Sequence, residues 1–165
     1  SANRTSVKDN LMCYKDIRYI TGVGHGSYGC YTGHNANRVF EIGDYLTKEV
    51  KDRVIHLFSC GTARDLGPDF VTKGCLAFFG YTEAFFFMGD DREIFFRCDS
   101  EIDLGFVSGL NAKKVYENTK KIFEDAIDEL NDGGHYYIAA ILQNDLNILK
   151  CPSIGSEWGN ETAII

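Results

Sequence analysis

A histidine and a cysteine each stand where an apolar run breaks into small residues. Tyr19-Ile20-Thr21-Gly22-Val23 leads into Gly24-His25-Gly26-Ser27, and Val54-Ile55-His56-Leu57-Phe58 leads into Ser59-Cys60-Gly61. If the two runs are neighbouring parallel strands, their carboxyl ends bring one imidazole and one thiol to a single crevice. Ligands bind at that edge of an open α/β sheet. A thiol beside an imidazole suffices for acyl transfer through a cysteine nucleophile. Imidazole titrates near neutrality, ordinarily at about pH 6.5, which makes His25 the candidate general base. Cys60 is the candidate nucleophile, and the backbone N–H groups of Gly26 and Cys60 are the candidate oxyanion donors. Gly24 and Gly26 would let a substrate chain approach closely. Phe58, Ser59 and Gly24 flank the pair as candidate substrate contacts.

Each residue also has a plainer reading. His25 could be a loop histidine bonded to backbone, and Cys60 a small buried residue at a strand end. Their pairing at two strand ends is what favours chemistry. His56 lies within a strand and reads as structural, His34 could line the cleft, and His135 opens a helix. Gly24-His25-Gly26-Ser27-Tyr28-Gly29 also satisfies G-x-G-x-x-G, but a dinucleotide site requires a helix to begin at the motif. The residues that follow, Cys30-Tyr31-Thr32-Gly33-His34-Asn35, are poor helix formers.

The elements that must hold this pair can be read from periodicity. Residues 1–16 are polar and read as irregular. Ile17–Val23 alternates as a strand does. Gly22–Asn37, rich in Gly, Tyr, Asn and His, reads as a long functional loop. Asp44 is a plausible cap for a short helix with Tyr45, Leu46 and Val50 as its apolar stripe. Val54–Ser59 suits a buried parallel strand. Thr62–Lys73 reads as loop and helix with Leu66, Phe70 and Val71 facing inward. Cys75–Gly80, Thr82–Met88 and Glu93–Cys98 read as strands. Ala112–Leu130 carries a clear helical stripe that Gly133-Gly134 terminates, and His135–Leu149 reads as a further helix. The fold class expected is α/β: a three-layer sandwich with a mostly parallel central sheet and helices on both faces.

The chain has 165 residues, enough for one domain with a single sizeable core. Its net charge of −7 argues against nucleic acid or an anionic membrane as partner, since both reward a basic surface. No apolar run approaches the ~20 residues a membrane span needs, and no signal peptide is visible at the N-terminus. The six cysteines include no Cys-x-x-Cys pair, and the chain is core-rich enough to need no staples. Cys75 and Cys98 read as buried small hydrophobes, and a reducing, cytoplasmic setting is expected. No cofactor and no metal are expected. The chain begins with Ser, so a fragment of a longer protein is expected.

An apolar strand ending in His-Gly, followed by one ending in Ala/Ser-Cys, resembles the caspase-like cysteine peptidases (clan CD). That group includes caspases, legumains, clostripain, separase, gingipains and the CHAT domains. The resemblance spans roughly residues 17–150, and Leu66–Thr82 looks like the helix and strand that follow the cysteine in gingipain-type and CHAT-type domains. It implies a cysteine endopeptidase acting on a polypeptide substrate, with His25 as base, Cys60 as nucleophile and Gly26 as an oxyanion donor. In this group the side chain two residues before the cysteine often lines the main specificity pocket. Asp or Gln is usual there, whereas this chain has Phe58. Glu83, Asp90, Asp91 and Glu101 follow the next strands and could supply a pocket acid, with Glu83 the first candidate. The group normally carries further strands before the histidine strand, so an additional chain or domain completing the sheet is expected. Two other readings remain: a catalytically silent binding or assembly module, with the phenylalanines at 85–87 and 95–96 as a partner surface, and a nucleotide-binding domain.

Overall fold

The computed structural model describes residues 3–89 and 91–165. Helix α1 (Arg4–Cys13) precedes strand β1 (Tyr19–Val23). Three short strands follow, β2 (His25–Ser27), β3 (Cys30–Thr32) and β4 (Arg38–Glu41), and then helix α2 (Thr47–Val50). Strand β5 (Val54–Phe58), helix α3 (Leu66–Thr72) and strand β6 (Ala77–Tyr81) form the centre of the chain. Helices α4 (Arg92–Val107), α5 (Ala112–Asp132) and α6 (Tyr136–Ile148) then lead into strand β7 (Leu149–Lys150).

The central sheet runs in the order β1-β5-β6-β7, with the first three strands parallel and β7 antiparallel. All five residues of β5 and of β6 are buried, as their continuous apolar sequences require of strands covered on both faces. Successive side chains alternate between the faces. Val54, Phe58, Phe79 and Tyr81 join Phe95, Phe106, Phe123 and Leu142 of α4–α6 in one core. Ile55, Leu57 and Phe78 join Leu11, Val50, Leu66 and Phe70 of α1–α3 in the other. This is the expected three-layer α/β sandwich, helices on both faces of a mostly parallel sheet.

Several local expectations fail for identifiable reasons. Residues 4–13 are helical rather than irregular. Asn3 caps them by accepting the Ser6 N–H at 3.0 Å, and Arg4 forks onto buried Glu49 at 2.6 and 2.9 Å. With Leu11 the one fully buried residue, the helix has too thin an apolar stripe to read from sequence. The next helix starts at Thr47, not Asp44. Glu49 reaches back to accept the Leu46 N–H at 2.8 Å, which leaves Leu46 exposed while Tyr45 and Val50 are buried. The stretch 22–37 is largely not loop. A two-residue turn at Tyr28-Gly29 pairs Ser27 with Cys30, and β2-β3-β4 form an antiparallel sheet. Glu93–Cys98 is helical, within α4, because Phe95, Cys98, Asp99, Ile102 and Phe106 recur at helical spacing beyond that window and all are buried. Residues 82–88 form no strand: the Thr82 N–H bonds to Ile148 O at 3.0 Å, and the antiparallel partner beyond that point is helix α6, because β7 begins only at Leu149. The segment after Pro152 packs down, with Trp158 and Ala163 buried and the Trp158 indole donating to Ala63 O at 2.7 Å.

His56 is structural, as its place in a strand implies, but its partners are charged. Its Nδ1 lies 2.9 Å from Asp103 and its Nε2 3.3 Å from Asp99, both on α4. The Tyr81 hydroxyl donates to Asp99 at 2.6 Å, and the Tyr19 hydroxyl to Asp103 at 2.5 Å. One charged cluster therefore ties β1, β5 and β6 to α4. Burial alone would push the His56 pKa down, and the two carboxylates reverse that and hold it up to about 10. Burial likewise works to raise Asp103, and the His56 hydrogen bond overcomes it, holding the carboxyl down to about 2.

Replacing His56 with Leu strips the cation from two carboxylates and is expected to cost about 3–5 kcal/mol in urea unfolding. The folded chain keeps the His56 proton to about pH 10, whereas an unfolded chain releases it near 6.5. The stabilisation is thus complete below pH 6.5 and lost as pH rises through 10. The wild-type advantage over His56→Leu should shrink between pH 6 and pH 9. An advantage that grows across that range would refute the ion-pair account.

Candidate active site

The register of the sheet sets the site. Val23 of β1 lies opposite Phe58 of β5, and the ladder continues one step past the strand as the Gly24 N–H donates to Phe58 O at 3.2 Å. His25 and Cys60 therefore leave the sheet side by side, each two residues beyond a paired position. Both line one cavity of about 380 Å³, as do Gly24, Phe58 and Ser59. Its remaining walls are Val23, Phe85, Phe87 and Phe96. Cys60 is half-buried and His25 exposed. His25 and Cys60 thus both border one opening.

The glycines do a different job from the one expected. A Cβ on Gly26 would lie 2.4 Å from Cys60 O and 3.1 Å from Ser59 Cβ, so β2 packs directly on the turn that carries the cysteine. A Cβ on Gly24 would meet Thr32 O at 2.2 Å. The missing side chains make room for the protein's own backbone rather than for a substrate chain. Gly61, at φ +71°, turns the chain after Cys60, and its N–H bonds to Glu83 O at 3.0 Å. Ser59 faces inward, its hydroxyl 3.0 Å from that of Thr62.

Glu83 does not line the cavity. Its carboxylate is held by Arg64 at 3.5 Å and by the Tyr28 hydroxyl at 3.3 Å, and the Arg64 guanidinium lies 4.2 Å above the Tyr28 ring. Asp91 and Glu101 do not line it either, and Asp90 lies outside the described residues. His34 sits exposed in a short 3-10 turn, away from the opening, and His135 caps α6. No helix begins at Gly24–Gly29, so the dinucleotide reading loses the N-terminus it requires.

The phenylalanines divide between core and surface. Phe85 and Phe95 are buried, while Phe86 is 59% exposed, Phe87 49% and Phe96 38%. Phe58 is the hub, its ring 4.6 Å from Phe85, 5.6 Å from Phe96 and 6.0 Å from Tyr81, all edge-on. Sequence reasoning missed the residue that anchors this wall. Asp145, fully buried on α6, accepts the Phe86 N–H at 3.2 Å with one carboxylate oxygen, and the other has no partner among the described residues. Burial drives its pKa up to about 7, with the Phe86 bond working in the opposite direction. An aspartate inside an otherwise apolar helical face was the available signal.

All six cysteines carry free thiols. Burial pushes Cys75, Cys98 and Cys151 up to about 12, and burial followed by the charge of Glu41 raises Cys30. Cys13 is exposed on α1, far from the cavity. Among the described residues there is no cluster of metal-ligating side chains, and no helix is long and apolar enough to cross a membrane. Comparison with family models, curated proteins and solved structures returned no match to this chain.

Two outcomes are expected. In a Cys13→Ser background, iodoacetamide at neutral pH should alkylate Cys60 about tenfold or more ahead of Cys75, Cys98 and Cys151, read by peptide mass mapping. Asp145 keeps its proton to about pH 7 when folded but releases it near 3.8 when unfolded. Its favourable contribution is therefore complete below 3.8 and lost as pH rises through about 7. Asp145→Asn, which removes the buried charge, should gain about 1–3 kcal/mol relative to wild type between pH 5 and pH 8.

Proposed function

We propose that the protein is a cysteine endopeptidase that hydrolyses peptide bonds through Cys60 and His25. The reading rests on one observation: the thiol and the imidazole, carried to adjacent strand ends, line the same solvent-open cavity. His25 takes the thiol proton as the Cys60 sulfur attacks the carbonyl carbon. The backbone N–H groups of Gly26 and Cys60 are the proposed donors to the oxyanion. As the tetrahedral intermediate collapses, the C–N bond breaks and His25 passes its proton to the departing amine. Water, deprotonated by His25, then attacks the thioester, and the acid product leaves with Cys60 restored. The caspase-like resemblance supports the same two residues in the same roles. The outer edge of β1, whose sole strand neighbour among the described residues is β5, leaves room for a strand from a second chain or domain.

The runner-up is a silent binding module. The exposure of Phe86, Phe87, Met88 and Phe96 on one side of the opening favours it, since clustered exposed aromatics mark contact surfaces. A mixed, unfolded protein substrate separates the two. Cys60→Ala should lower turnover by about 10³-fold or more and His25→Ala by a similar factor, while Cys30→Ala leaves it unchanged. Capture of peptides with no cleavage, and identical behaviour of the Cys60→Ala protein, would favour the module.

A further inference from the structure

The cavity beside Cys60 has a chemical character of its own. Four phenylalanines and Val23 line it, and among the described residues no carboxylate, lysine or arginine does. Four acids near these walls are engaged elsewhere. Glu83 is bound to Arg64 and Tyr28, Asp99 and Asp103 to His56, and Asp145 lies behind the Phe86 backbone. A charged side chain entering between these rings would lose its water with no opposite charge among the described phenylalanine walls, which is strongly unfavourable. An aromatic or large aliphatic side chain would meet edge-on rings already fixed against one another. At about 380 Å³ the space is near the small end of ligand sites and suits one amino-acid side chain.

Its position fixes which side of the scissile bond it serves. In the order β1-β5-β6, His25 follows β1 on one side of Cys60, whereas Phe85 and Phe87 follow β6 on the other. The departing amine must lie against His25, which protonates it. The residue that contributes the attacked carbonyl then lies toward Phe58 and Phe85.

Resting on the peptidase reading, we propose that this cavity is the primary specificity pocket and that it selects a bulky apolar residue on the acyl side of the scissile bond: Phe, Tyr, Leu or Met. Phe58, two residues before the nucleophile, is its floor. Phe85 is a buried wall, locked in place by the Phe86–Asp145 bond. Phe87 and Phe96, whose rings lie 5.2 Å apart, form the outer wall.

The test is a panel of fluorogenic tetrapeptide amides that differ only at the acyl-side residue. kcat/KM for the best apolar member should exceed that of Arg, Lys, Asp and Asn members by about 100-fold. Phe58→Asp should depress the apolar substrates and raise the Arg and Lys ones. Because Phe58 is buried and that variant risks misfolding, Phe87→Asp at the half-exposed outer wall serves as the second probe. It should raise KM for the Phe substrate about tenfold while its urea-unfolding midpoint stays at the wild-type value. Cleavage that favours charged residues, or selectivity untouched by both variants, would overturn the pocket and leave the peptidase standing. Failure to cut any panel member, with Cys60 alkylated normally, would overturn the peptidase and the pocket with it.

Discussion

The parallel register of β1 on β5 is the constraint on which everything near the opening depends. With Val23 opposite Phe58 and the Gly24 N–H on Phe58 O, neither His25 nor Cys60 can shift alone. A slip of one residue would turn His56 away from α4 and send Ile55 and Leu57 to the wrong core. The register is held from both sides: by His56 of β5 set between Asp99 and Asp103 of α4, and by the Gly26 backbone pressed against the Cys60 carbonyl just beyond the strand ends.

The charged cluster on the α4 face acts on the same geometry. His56, Asp99, Asp103, Tyr19 and Tyr81 join three strands to one helix. Phe96, one turn before Asp99 on that helix, stands in the cavity wall. Fixing the helix by ion pairs therefore fixes the depth to which Phe96 reaches. Buried ion pairs contribute little net stability compared with an apolar replacement. What this one contributes is orientation: in the setting of α4 that the structure has, each ring nitrogen of His56 meets a carboxylate. Asp145 does the equivalent for the facing wall, holding the Phe86 backbone so that Phe85 points in and Phe86 points out.

How much of this could be read beforehand depended on whether a feature was local. The continuous apolar runs of β5 and β6 and the stripe of α5 announced themselves, because burial on two faces or on one leaves a direct period in the sequence. So did the two strand-end motifs, whose His25 and Cys60 border the same cavity. What escaped were elements defined by distant partners. Helix α1 needs Arg4 on Glu49 to dock, and α4 imitated a strand over Glu93–Cys98 because Ile94, Phe95 and Phe96 follow one another there, although only Phe95 and Cys98 are buried. The partners of His56 lie on an element that had been read as a strand ending at Cys98, so the charged cluster was out of reach. Glu83 pointed to an acidic pocket only until the Arg64 and Tyr28 side chains were seen to occupy its carboxylate.

The same glycines distinguish two chemistries that share a spacing. In a dinucleotide site, G-x-G-x-x-G clears space for a pyrophosphate at a helix N-terminus. Here the first glycine clears space for Thr32 O, the second for Cys60 O, and the third lies in the turn between β2 and β3. The backbone freedom is used up inside the protein, and the N–H groups that would have faced phosphates belong to a β-hairpin. On the other side of the turn lies the cavity that Cys60 lines together with Phe58, Phe85, Phe87 and Phe96. A polyphosphate gains nothing from such walls, whereas an extended chain with a bulky apolar side chain gains burial for that side chain beside the sulfur. The spacing alone admits either ligand; the missing helix N-terminus removes the support for a dinucleotide, and a peptide is the ligand proposed above.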